Sequence, residues 1–234
     1  MVTQKFHACL DRMALFTAAL AVLLIFFFGD FLTIASANVV INGAIIGATL
    51  FGVGLCFVEM FHLVPEARWL CAYIHGSRDA ALPPRLMRPA AMMLRMRPMR
   101  ISANTLETIF DTIMNRFEDS RESVRYVANI LIFMGLLGTF WGLIVTIGGF
   151  ADIIGGLNFA DESVLDTLGA GLARPLGGMT TAFTSSLLGL CGNLIVGFLG
   201  LQLQIAQNSL FHELEEYLAA HTHAVSPIEN INEN

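Results

Sequence analysis

Charge is scarce in this chain. Of its 234 residues only 14% are Asp, Glu, Lys or Arg, against 55% hydrophobic. Such a composition excludes a water-soluble domain of ordinary make-up. Apolar stretches of roughly 20 residues or more, the length that crosses a bilayer as a helix, appear at 13–36, 39–64, 127–150 and 179–203. The cysteines are few and unpaired in pattern: Cys9, Cys56, Cys71 and Cys191 show no CxxC spacing, which argues against a disulfide framework or a thiolate metal site. A Walker motif, a catalytic dyad and a metal-ligand cluster are also missing. No enzyme, cofactor, resident metal or nucleic-acid partner is therefore expected, and energy would have to come from an ion gradient or not be used at all.

The most informative absence lies inside the last two spans. Neither carries Asp, Glu, Lys, Arg or His in its central part, whereas an ion-coupled machine normally needs an ionisable group at depth. If the chain lines an ion path, the titrating carboxylate must belong to another polypeptide. Glu59 and His62, one helical turn apart near the inner end of span two, are the closest candidates here, and they read as snorkelling interface residues.

The charges that are present set a topology. Lys5 and Arg12 precede span one, ten arginines from Arg68 to Arg125 lie between spans two and three, and Arg174 is the remaining basic residue. Basic residues stay in cytoplasmic loops. Asp152, Asp161, Glu162 and Asp166 mark the connection between spans three and four as external. The expected organisation is a cytoplasmic N-terminus (1–12), a transmembrane hairpin (13–64), a cytoplasmic loop (65–126), spans three and four (127–203) with a periplasmic loop at 151–178, and a cytoplasmic C-terminal helix and tail (204–234). Lys5, Arg12, the apolar core and "ASA" at 35–37 also fit a secretory signal, but the length of the run and Asp30 favour a span.

Pro65 reads as the stop of the second helix, and Trp69 and Tyr73 as residues of the headgroup layer. Residues 81–100, "ALPPRLMRPAAMMLRMRPMR", exclude one long helix by their prolines. They suit a loop whose arginines meet lipid phosphates or a docking surface for a partner. Asn104 and Glu107 have the spacing of a helix N-cap. Leu106, Ile109, Phe110, Ile113 and Phe117 follow at helical spacing, and no proline intervenes before residue 150. One helix is expected from the cytoplasm through span three. Span four continues likewise, with a stripe of Leu201, Ile205, Leu210, Leu214 and Leu218. The last dozen residues read as frayed. The fold class is an all-α polytopic membrane protein with four transmembrane helices, two of them extended into the cytoplasm.

Span three contains "GLLGTFWGLIVTIGGF" (135–150), in which Gly135, Gly138, Thr139, Gly142, Thr146 and Gly149 share one narrow face. Span four repeats the device with Gly178, Ala182, Ser185, Gly189, Gly192 and Gly200. Lipid does not need small residues, but a neighbouring helix does. Thr180, Thr181, Thr184, Ser185 and Ser186 cluster in span four, with Asn193 seven residues beyond Ser186 on the same face. A lone hydroxyl can satisfy itself on the preceding turn, but this cluster and an asparagine amide point to a polar partner or water. Hydrogen bonding within a static bundle is the competing reading.

These motifs resemble a known family. "GLLGTFWGL" at 135–143 looks like the penultimate helix of ExbB and TolQ, and "LARPLGGMTTAFTSSLLGL" at 172–190 resembles their last helix. The layout of a short hairpin, a large cytoplasmic loop and two long terminal helices is similar to that of the flagellar stator subunit MotA. The chain is thus identified, over roughly 105–203, as a member of the MotA/TolQ/ExbB proton-channel family. The resemblance implies a homopentamer in the bacterial inner membrane around a pair of helices from a single-span MotB, ExbD or TolR-like partner, whose aspartate carries a proton or a sodium ion. It places Thr139 on the family's threonine and Ser186 on the last-helix hydroxyl, with Thr184 as the alternative if the register is set from Pro175. Thr146 and Asn193 complete the expected ion pathway, and Gly135, Gly138, Gly142, Gly189 and Gly192 its helix-packing face. The early glutamate of ExbB and TolQ is missing, with Met179 at or near its position. A non-conducting membrane scaffold or assembly subunit is the alternative function.

Overall fold

The computed structural model describes residues 2–74, 84, 88, 103–156, 169 and 171–221. Its elements are α1 (Val2–Phe26), α2 (Phe28–Ser36), α3 (Val39–Ile74), α4 (Ala103–Gly156) and α5 (Ala173–His221), with no strand among the described residues. Four stretches, Ala8–Phe26, Val39–Ile74, Phe110–Gly156 and Ala173–Leu218, are long and apolar enough to cross a membrane. The protein is an all-α, polytopic membrane protein.

Local chemistry explains most of the boundaries. The break between α1 and α2 falls at Phe27, whose backbone (φ −101°, ψ 23°) leaves helical geometry while its N–H still donates to Leu23 O at 3.0 Å. Asn38 caps α3, its Oδ1 accepting the Ile41 N–H at 3.1 Å. The uninterrupted run without proline becomes the 54 residues of α4, which starts at Ala103, one residue before the expected cap. α5 is 49 residues long and carries Pro175 in its first turn, where no N–H is needed. With α4 reaching Gly156 and α5 starting at Ala173, helix covers part of the stretch expected as the 151–178 loop. The side chains of Asn104, Leu106 and Ile109, most of 81–100, Asp161, Glu162, Asp166 and the last dozen residues lie outside the described residues.

The contacts divide the chain into two units, one of residues 1–16, 55–123 and 199–234, the other of 17–54 and 124–198. The first has an apolar core of Met60, Leu63, Leu70, Ile113, Phe117, Leu203, Leu210 and Leu214, with Cys9 and Met13 of α1. The buried row of α5 here is Leu199, Leu203, Ala206, Leu210, Leu214 and Leu218. Leu201 and Ile205 of the expected stripe are instead exposed, because stepping back from Leu210 by 3.6 residues per turn lands on 206 and 203. Arg121 clamps this packing, donating from Nε to Gln207 Oε1 at 2.7 Å and from Nη2 to Asn208 Oδ1 at 2.6 Å.

Two local expectations are corrected. Pro65 does not stop α3, which runs on to Ile74. Trp69 is no headgroup anchor either: it is buried, stacked on Tyr73 at 5.4 Å, and Tyr73 meets the edge of Tyr217 at 5.9 Å. The two corrections share a cause. Burial of Met60, Leu63, Ala67, Trp69 and Leu70 holds both sides of the proline turn in helix, so packing outweighs the missing N–H. Replacing exposed Pro65 by alanine restores that donor. Pro65→Ala is expected to raise stability by about 2 kcal/mol, the interior proline penalty less the freedom regained by the unfolded chain. Equilibrium denaturation in detergent micelles checks it, and a destabilised variant would mean that the proline bend itself is needed for packing.

Candidate functional site

The second unit is built around a seam between α4 and α5 where the two backbones nearly touch. A Cβ added at Gly142 would lie 2.5 Å from both the Ala182 nitrogen and the Gly178 oxygen. One at Gly189 would stand 2.6 Å from Leu131 O and 2.9 Å from Gly135 Cα, and one at Gly149 would meet Pro175 Cδ at 2.7 Å. At Gly138 it would overlap Ser185, and at Gly192 it would overlap Thr49 of α3. The helices run antiparallel, and the small face read from the sequence is occupied by this chain's own neighbouring helices. Lipid offers no hydrophobic drive for such association, so close van der Waals contact and interhelical hydrogen bonds supply it.

α3 packs along one side of this seam. A Cβ at Gly138 would also stand 3.2 Å from Ile41, and one at Gly52 would meet Val196 at 2.7 Å and Val127 at 2.9 Å. Each residue step turns a helix by about 100°. On α4 that step carries Thr139 past the seam, away from α3, and on α5 it carries Ser186 the same way from Ser185. Asn193, seven residues on, follows Ser186. Thr139 and Asn193 are half-buried and Ser186 is exposed. All three open on the side of the seam opposite α3.

Of the remaining hydroxyls, Thr146, Thr181, Thr184 and Ser185 are spent inside the bundle, while exposed Thr180 donates to Leu176 O at 3.0 Å in its own helix. Thr146, buried, donates to Gly142 O at 2.9 Å and Pro175 O at 3.1 Å. Thr184, also buried, donates to Thr180 O at 2.8 Å and Thr181 O at 3.2 Å. Thr181 reaches Ala37 O at 3.3 Å, joining α5 to the turn between α2 and α3. The structure therefore brings Thr139, Ser186 and Asn193 to one open side and leaves Thr146 and Thr184 out of it. Setting the α5 register from Gly189 gives an accessible hydroxyl, while setting it from Pro175 gives a buried one.

Thr139 and Ser186 also differ chemically. Thr139 donates to Leu136 O at 2.6 Å, so its oxygen is left with lone pairs to accept a hydrogen bond. Ser186 makes no hydrogen bond with the described residues and keeps a donor. Between Arg125 and Asp152 on α4, and between Arg174 and His212 on α5, no Asp, Glu, Lys, Arg or His occurs. At the end of this stretch Arg174 pairs with Asp152, both exposed. Met179 is exposed on α5, and His62 of the first unit is exposed with Glu59 half-buried. Among the described residues no group of three or more His, Cys, Asp or Glu converges on a point.

One polar residue escaped the sequence reading. Asn42, fully buried, accepts the Ser185 hydroxyl proton at its Oδ1 (2.6 Å) and donates from Nδ2 to Ile34 O (2.8 Å). Its signal was an asparagine one turn after the cap of an apolar span, where no backbone end needs a second cap. Compared with family models, with curated proteins and with solved structures, the chain matches none.

Proposed function

We propose that this chain is a channel or stator subunit of an ion-driven motor of the MotA/TolQ/ExbB type, coupling a proton or sodium gradient across the bacterial inner membrane to mechanical work. The observation that carries this reading is the placement of Thr139 and Ser186 on the open side of the seam, away from the chain's own hairpin, on helix stretches free of ionisable groups. A carboxylate supplied by another polypeptide would find complementary groups there. Ionised, it accepts a hydrogen bond from Ser186; neutral, it donates one to Thr139. The charged form is the one a buried path penalises most, so a donor held at its entry matters more than an acceptor.

In this mechanism copies of the chain surround a pair of helices from a single-span MotB, ExbD or TolR-like partner, with both termini of the chain cytoplasmic. A ring of five facing two helices cannot satisfy every site at once, and each ion that neutralises the partner's aspartate moves the mismatch to the next copy. One charge crossing 100 mV releases about 2.3 kcal/mol, so several ions drive a large step. The glycine contacts within each copy hold its wall in shape while the partner moves past.

The test is co-expression with the one-span protein of a neighbouring reading frame, native mass measurement, and flux in proteoliposomes. A multimer that contains the partner and carries ions down a gradient is expected. A stable monomer, or an assembled complex that passes no ions under load, would instead establish the scaffold reading, which the internally spent hydroxyls of Thr146 and Thr184 favour.

A further inference from the structure

We infer that Asn42 is a positioning residue: by holding Ser185 on the α3 side of the seam it fixes the rotation of α5 that turns the next residue, Ser186, to the open side. The inference concerns the rotation of one helix and stands whether or not ions pass.

Few directional contacts restrain that rotation. Where Gly135 meets Gly189, and Gly142 meets Gly178 and Ala182, the contact is between backbones. Such surfaces set the distance between two helices firmly, and the side chains seated in glycine gaps, Pro175 at Gly149 and Val196 at Gly52, restrain the turn of α5 about its own axis only by non-directional van der Waals contact. Directional restraint falls to hydrogen bonds from α5 to its neighbours. Those among the described residues of this unit include Ser185 to Asn42 at 2.6 Å, Thr181 to Ala37 O at 3.3 Å, Pro175 O accepting from Thr146 at 3.1 Å, and the exposed Arg174 donating to Asp152 near the start of α5. Thr146 also bonds within its own helix, and its partner lies in the first turn of α5. The Ser185–Asn42 bond is shorter than those of Thr181 and Pro175, and the Arg174–Asp152 pair is exposed. The side chains of Ser185 and Asn42 are both fully buried.

Three features make Asn42 a rigid anchor. Its amide nitrogen is tied to Ile34 O across the turn between α2 and α3, so its oxygen is aimed and cannot swing away. Gly138 leaves the space into which Ser185 fits, since a side chain there would overlap it. Burial also removes the alternative of water: a Ser185 hydroxyl turned from Asn42 would have to fall back on its own helix. Two adjacent serines are thus assigned opposite duties. Ser185 is committed inward, and Ser186, about 100° further round, is presented.

A nitroxide on Ser186→Cys in nanodiscs reads the rotation directly. Cys71 and Cys191 are replaced by serine, the other two cysteines being buried. The parent should give one spectral component with fixed accessibility to oxygen and to a nickel chelate. Losing one interhelical hydrogen bond in a membrane bundle shifts a conformational equilibrium about 3- to 20-fold. Asn42→Leu and Ser185→Ala should each therefore show a second component with altered accessibility. Asn42→Asp, which as a neutral acid both accepts from Ser185 and donates to Ile34 O, should restore the single component, an outcome that a mere need for packing volume would not require of Asp over Leu. If Asn42→Leu fails to fold, Ser185→Ala decides, because it removes only a hydroxyl. A folded Ser185→Ala protein whose label at 186 is unchanged would overturn the inference, as would an Asn42→Asp spectrum identical to that of Asn42→Leu.

Discussion

Gly142→Ala and Gly189→Ala each destabilise the protein by about 1–3 kcal/mol, the usual cost of forcing a methyl into packed space, whereas Gly177→Ala and Gly197→Ala do not destabilise it. The difference comes from what the new methyl meets. At Gly142 it meets the Ala182 nitrogen and the Gly178 oxygen, both at 2.5 Å, and at Gly189 the Leu131 oxygen at 2.6 Å. These are backbone atoms of the facing helix, which yield only if α4 and α5 separate. Separation would cost the contacts along the whole seam, because the same two helices meet again at Gly135 and Gly149. At Gly177 and Gly197 nothing stands within 4 Å. There the alanine gains up to about 1 kcal/mol of helix propensity. Gly52 differs in kind, since its methyl would meet side-chain carbons of Val196 and Val127 and not backbone, although β-branched side chains in a helix yield little. Equilibrium denaturation of the chain in mixed micelles ranks the variants. Equal stability of Gly142→Ala and Gly177→Ala would remove the close seam from the account.

Where the chain's signals are local and repeated, the architecture could be read directly. The absence of proline from Asn104 to Phe150 made one long helix the natural reading, and α4 follows it. Pro65 shows the opposite case. A single proline is a strong local stop signal, yet the burial of Trp69 and Leu70 just beyond it is a tertiary property that no window of sequence displays. The stripe of α5 was misplaced for a related reason. In a segment where most residues are apolar, Leu201 and Leu203 look alike, and only the neighbouring helices decide which is buried.

The candidate site was legible as a set of residue types but not as a geometry. Helical spacing alone leaves Thr139 beside the glycines of α4, and it cannot tell which of Thr184, Ser185 and Ser186 faces which neighbour. That answer needs the position of α3, whose Ile41 and Gly52 define the closed side of the seam. It also needs Asn42, which bonds Ile34 O across the α2–α3 turn and a partner 143 positions away.

Ser186→Ala is expected to slow ion-driven activity about 10- to 100-fold, because a hydrogen bond to an ionised group contributes about 1.5–3 kcal/mol and here it is lost in the charged state. Thr139→Val keeps the shape and removes an acceptor for the neutral acid, a contribution nearer 1 kcal/mol, and should slow activity about 5-fold. Together they should leave almost no coupled turnover. Neither change should unfold the protein, since Ser186 is exposed and the Thr139 hydroxyl bonds only its own helix. Thr184→Ala is the internal control. Its hydroxyl is buried and engaged on Thr180 O and Thr181 O, so its loss should lower stability slightly and leave ion flux intact. Ser186→Thr, which retains the donor, should retain most of the activity. The measurement is proton or sodium flux in proteoliposomes holding the assembled complex, at matched protein content. Full flux from the Thr139→Val, Ser186→Ala double variant would end the hydroxyl mechanism. Loss of flux in Thr184→Ala with Ser186→Ala unaffected would place the path on the Thr184 face of α5 and end the assignment of Ser186.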